Sequence, residues 1–187
     1  MLHISKGAIL RPCDIDEIIV SRCGCDYTLH NPQAKLWLNG RYKISEATFE
    51  NQKQPLCLLE KIGLIESSED IGDIAKYRML TNCVICKAAI SAPRLLLNSK
   101  ERWVYKWTAG AGGKLTISEL IFLVENGIDP KPFLLGADNW QALVNTIYTA
   151  DTISDGILDV MMERSPAMPK TVAAVLGLLQ KKRILLV

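Results

Sequence analysis

Apolar positions along the chain change spacing several times, and each change marks an element. Between residues 7 and 30, short apolar runs (Gly7-Ala-Ile-Leu10, Ile18-Ile-Val20, Tyr27-Thr-Leu29) alternate with Pro12, Gly24 and acidic residues. That pattern predicts short strands and not a long helix. Gln33 to Leu38 carry good helix formers after Asn31-Pro32 and stop at Asn39-Gly40, so a short first helix follows. Ser45 is placed to cap a second short helix. Asn51 is placed to cap a third, running to Ile62, with Leu56, Leu59 and Ile62 on one side and Gly63 as its stop. Residues 64–81 then read as two short extended segments around a polar turn.

In the second half, Trp103, Tyr105 and Trp107 alternate with Val104 and Lys106, which predicts a strand with three aromatics on one face. Thr108-Ala-Gly-Ala-Gly-Gly113 reads as a flexible connector. Helices are expected at 115–127, near 138–149 and over 153–163. A last helix places Val172, Val175, Leu176 and Leu179 on one face, and an apolar strand to Val187 follows it.

Composition narrows the class without choosing a function. The 187 residues are 49% hydrophobic, which is ample for one or two cores. No run of about 18 uncharged apolar residues occurs, and the opening residues lack the basic, apolar and small-residue sections of a signal peptide. A cytoplasmic protein that does not enter membranes is expected. There the six cysteines stay reduced, so metal, redox or core roles come before disulfides. A net charge of +2 neither demands nor excludes nucleic acid.

Three short helices followed by two extended segments form the order of a winged helix-turn-helix. Leu58-Leu-Glu-Lys-Ile-Gly-Leu-Ile65, a polar turn, then Lys76-Tyr-Arg-Met-Leu-Thr81 resembles the recognition-helix end and wing of bacterial regulators such as the PadR-like family. The match covers about residues 32–87; Met79 is an insertion relative to that pattern, and the glycine usual after the threonine is missing. The C-terminal helix and strand repeat the same logic. The expected fold is therefore α+β, mainly helical, with tandem winged-helix-like modules. Residues 1–98 form the first module with its strand lead-in, 99–114 the aromatic strand and Gly-rich connector, and 115–187 a diverged, helical second module.

This resemblance implies double-stranded DNA as partner. Asn51, Gln52, Lys53 and Gln54 would open the reading helix, with Lys76 and Arg78 on the wing reaching phosphates. Glu66, Glu69, Asp70 and Asp73 in the wing turn oppose phosphate. Ala173, Ala174, Gly177 and Leu178 offer a small-residue face, either buried within the module, which is slightly favoured, or open to a homodimer or another partner, and Lys181, Lys182 and Arg183 form a basic step that could face phosphate. Cys23, Cys25, Cys83 and Cys86 supply enough thiolates for zinc or an iron-sulfur cluster, although core packing is the default for cysteine and no cofactor is expected. Cys13 and Cys57 read as structural.

An enzyme is not expected. His3 and His30 stand in no catalytic or metal motif, and Gly110-Ala-Gly-Gly-Lys-Leu115 lacks the first glycine and the Ser/Thr of a phosphate loop. The leading expectation is a dimeric DNA-binding transcriptional regulator. The alternative is a peptide- or protein-binding module that does not bind DNA. For it, Leu29-His-Asn-Pro-Gln-Ala-Lys-Leu-Trp-Leu-Asn-Gly40 loosely resembles PqqD-like domains, winged-helix relatives that bind a leader peptide along a strand edge.

Overall fold

The computed structural model describes the chain apart from residues 13–16, 49, 89–95, 111–113, 136–139, 150 and 154–155. About half of the residues are helical and a fifth lie in strands, so the chain is α+β with small sheets. It divides into two compact units, one of Met1–Cys83 with Leu185–Val187 and one of Val84–Ile184. The boundary after Cys83 precedes the connector expected at 99–114.

In the first unit, β1 (Leu2–Ser5) precedes an antiparallel meander of β2 (Ala8–Pro12), β3 (Glu17–Arg22) and β4 (Cys25–His30). Ile18 and Val20 alternate inward from β3, as the period of two requires of a sheet with one buried face. Cys23 and Gly24 join β3 to β4 as a two-residue loop. Both have positive φ, at 52° and 82°, as in a type I′ hairpin turn. After the cis Asn31–Pro32 bond come α1 (Gln33–Gly40), β5 (Ser45–Glu46), α2 (Glu50–Lys61), β6 (Ile65–Ser68) and α3 (Asp73–Thr81). Trp37 lies at the centre of a core with Leu29, Leu36, Leu56, Leu59 and Leu64. Truncating so large a buried ring typically costs about 3–5 kcal/mol.

Two expectations fail here. Ser45 starts no helix, because Ser45 and Glu46 pair with His3 and Leu2 of β1. The wing hairpin over 64–81 does not form either. The first segment, β6, takes β1 as its antiparallel partner, and the second is helix α3. Burial at Ala75, Tyr77 and Met79 has the period of a strand, which explains the misreading. Asp73 in the first turn and Arg78 in the last suit the helix dipole, and Lys76 bonds Asp73 at 3.0 Å.

The second unit holds β7 (Ile85–Lys87), then α4 (Ser99–Gly110), α5 (Ile117–Glu125), α6 (Pro132–Leu135), α7 (Trp140–Ile147), α8 (Ile157–Glu163) and α9 (Met168–Gln180). Strand β8 (Ile184–Leu186) begins in this unit. The aromatic strand expected at 103–107 is helix α4. The Asn98 side chain accepts from the Glu101 N–H at 2.9 Å and the Glu101 carboxylate accepts from the Asn98 N–H at 2.8 Å, a reciprocal cap that starts it. Trp103 and Trp107 then share a face four residues apart, with rings edge-on at 6.0 Å. Residues 111–113 of the expected connector lie outside the described residues.

Helix α9 packs against both α4 and α5, and Trp107 of α4, Leu120 of α5 and Val175 of α9 are fully buried. On α9, Val172, Val175 and Leu179 of the expected face are buried, whereas Leu176 is only half-buried. The α2–β6 and α9–β8 junctions close in the same way. At the first, the Leu64 N–H donates to the Leu59 carbonyl and the Gly63 N–H to that of Glu60. At the second, the Arg183 N–H donates to the Leu178 carbonyl and the Lys182 N–H to that of Leu179, with Lys182 in the left-handed region at φ 56°.

One close approach ties α1 to β1. A Cβ on Gly40 would lie 2.6 Å from Ser5 Oγ and 2.8 Å from the His3 ring. Gly40→Ala should therefore destabilise the protein by about 1–3 kcal/mol, despite alanine's better helix propensity, as chemical denaturation can measure.

Candidate functional site

The meander presents two outer strands, and they differ. Strand β2 carries a bulge between Ile9 and Arg11 and ends in Pro12, which has no N–H to offer. Just before it, the Gly7 N–H already donates to the Leu186 carbonyl at 2.7 Å. These features blunt an edge against further pairing. Strand β4 has none of them. It is bonded to β3 alone, and among the described residues no strand pairs its other side. Asp26, Thr28 and His30 are exposed along it, with Tyr27 half-buried between them. His30 and Glu17 are cross-strand neighbours 3.7 Å apart at the surface.

The DNA-reading residues fall on two helices. Asn51, Lys53 and Gln54 are exposed at the start of α2 and Gln52 is half-buried, with Gln52 and Lys53 each already engaged within the protein. Lys76 and Arg78 lie on α3 and on no wing; Lys76 pairs with Asp73, and Arg78 is also engaged. Of the four acidic residues, Glu66 is neutralised in place. The buried Lys6 ammonium bonds its carboxylate, and Asn82 Nδ2 donates to it at 3.0 Å. Breaking such a pair would leave a buried charge unmatched. Sequence reading missed this cluster, because Lys6 and Glu66 meet only through the β1–β6 ladder.

The small-residue face of α9 is packed within its own unit. Ala174 and Leu178 are buried, and Gly177 lies so close to the Glu101 carboxylate that a Cβ would approach it to 2.5 Å. Only Ala173 of the four is exposed. In the basic step, Lys181 is bound to Glu101 at 2.6 Å and Arg183 is buried. Close packing of α4 on α9 is what the small residues permit, and three of the four positions take the alternative of packing within the module over the open interface.

The cysteine pairs have separate surroundings. Cys23 and Cys25 are exposed at the β3–β4 hairpin, Cys83 is buried in the first unit and Cys86 is half-buried in the second. Among the described residues no three His, Cys, Asp or Glu side chains form a metal-ligand group. Cys13 lies outside the described residues. No family model matches the chain, and no curated protein or solved structure is similar to it.

Burial pushes the Cys83 thiol up to about 12, with Lys6 and Arg22 opposing the shift and Glu66 adding to it; the sulfur donates to the Met79 carbonyl at 3.3 Å. An alkylating reagent at mildly alkaline pH should label exposed Cys23, Cys25 and Cys57 in the native protein and reach Cys83 only after unfolding, as peptide mass mapping would reveal.

His3 gives a second expected outcome. Its ring is buried, Nε2 donates to the Leu36 carbonyl at 3.2 Å, and Nδ1 has no partner among the described residues. Burial holds its pKa below the ordinary histidine value of 6.5, partly offset by that carbonyl and reinforced by the N-terminal charge. The unfolded chain thus takes up the proton first. Stability is full above pH 6.5 and falls by up to about 1.4 kcal/mol per pH unit below it, until the folded-state value is passed. Urea titrations between about pH 7.5 and 5 should follow this course in the native protein and a flatter one in His3→Gln.

Proposed function

We propose that the chain is a peptide- or protein-binding protein whose first unit takes an extended partner segment along β4, as an added strand. The observation that carries this reading is the contrast between the two outer strands, β2 blunted by bulge and proline and β4 left regular. An added strand would gain main-chain hydrogen bonds from β4 and selectivity from side chains beside Tyr27 and Thr28. The loose PqqD-like resemblance of Leu29–Gly40 points the same way. It lies on the segment that runs from the end of β4 through α1.

In this reading the two units are diverged winged-helix-like modules. The shared closure of α2 onto β6 and of α9 onto β8 supports that relation, as does the matching helix–strand order. The PadR-like pattern then reflects shared scaffold and not shared ligand. One observation favours DNA as a second reading: Asn51, Lys53 and Gln54 are exposed on the first turns of α2, where a reading helix would present them.

Hydrogen exchange separates the two readings. A peptide selected from a display library against the full chain should slow exchange along residues 25–30 and bind almost independently of salt. Duplex DNA should fail to bind even at low ionic strength. Salt-steep duplex binding that weakens in Lys53→Ala, with protection at α2 and none on β4, would sink the strand-addition reading.

A further inference from the structure

We infer that the second unit contains a binding site for a compact organic anion, one with a flat apolar body and a single carboxylate or phosphate. The site is a cavity of about 260 Å³ where the first turns of α4 and α9 meet the end of α5. This is just below the roughly 300–1,000 Å³ typical of pockets for drug-sized ligands, so the occupant is small. Val104, Val124 and Ala174 give it an apolar wall, and the half-buried Trp103 indole supplies a flat one.

The charge arrangement selects an anion. Lys100 and Lys170 both line the cavity, and neither has an ion-pair or hydrogen-bond partner among the described residues. Each sits in the first turn of a long helix, α4 or α9. There the partial positive charge of the helix end opposes a cation, by roughly 0.3–1 kcal/mol at an exposed site. Two lysines placed against that preference on one cavity make sense when a negative group lies between them. The start of α9 also lacks a side-chain cap. Asp129 is the one carboxylate in the lining. It accepts the Trp103 Nε1–H at 3.3 Å, which fixes the indole and leaves two cations facing one anion. Thr171 Oγ1 donates to the Ala167 carbonyl, so its remaining role toward a ligand is as an acceptor, and the lysines carry the recognition.

The inference is tested on the full chain by tryptophan fluorescence, with 1-naphthyl phosphate and 1-naphthoate as probes. Neutral 1-naphthol and inorganic phosphate serve as controls for the two halves of the ligand. Saturable binding of either anionic probe, about tenfold tighter than both controls, is expected, as befits one charge-assisted contact. The phosphate and carboxylate arms identify which head group the site prefers. Lys100→Ala with Lys170→Ala should remove that advantage, whereas Lys106→Ala, an exposed lysine of α4 outside the cavity, should leave it intact. Binding of 1-naphthol as tight as that of the anions would overturn the inference, as would undiminished anion binding in the double variant or no saturable binding by either anionic probe. Both lysines are exposed, so the double variant should fold, as its circular dichroism can verify. None of these outcomes bears on strand addition at β4, so the two ideas stand or fall separately.

Discussion

Strand β1 is the constraint on which the first unit depends. It lies between β5 and β6, pairing antiparallel with both, and its register puts His3 opposite Ser45 on one side and Ser67 on the other. From that position it anchors α1 through side chains: Ser5 Oγ donates to the Trp37 carbonyl at 2.7 Å, and the Trp37 indole donates to the Lys6 carbonyl at 3.0 Å. These bonds satisfy polar groups that would otherwise be buried unpaired, at about 1–3 kcal/mol each. Because β6 has its partner in β1, the chain after it is free to coil into α3. The missing wing and the buried Lys6–Glu66 pair are thus consequences of one strand's placement.

This also explains what could be read from the sequence. Elements set by local spacing were legible: the three strands of the meander, α1, α2 and α9 fall where period and stop signals put them. The Cys23–Gly24 turn was present in the sequence as a glycine between two short apolar runs, but core packing, the default role for cysteine, does not describe Cys23 and Cys25, which are exposed at the hairpin. Elements set by distant partners were not legible. Ser45 looks like a helix cap and becomes a strand because His3 pairs with it, and Tyr77 and Met79 alternate like a strand yet lie on a helix.

The α4 error is different, because its signal was local and available. Asn98-x-x-Glu101 is a helix start, but the alternation of Trp103, Tyr105 and Trp107 outweighed it. Surface chemistry was least legible of all. The contrast between β2 and β4 needs the strand order, and the cavity needs three helices whose lysines lie seventy positions apart in sequence. In both units, the residues on which the proposed sites rest are ordinary ones made distinctive by their neighbours.

The first unit is discontinuous along the chain. Leu185–Val187 belong to it, and the Gly7 N–H at the start of the meander finds its acceptor in the Leu186 carbonyl. During synthesis that amide waits until the entire second unit has been made. The opening 83 residues can assemble their helices and ladders early, but this closure is made by residues that are synthesised only after the whole second unit. A fragment cut after Cys83 would therefore leave the Gly7 N–H without the acceptor that Leu186 supplies.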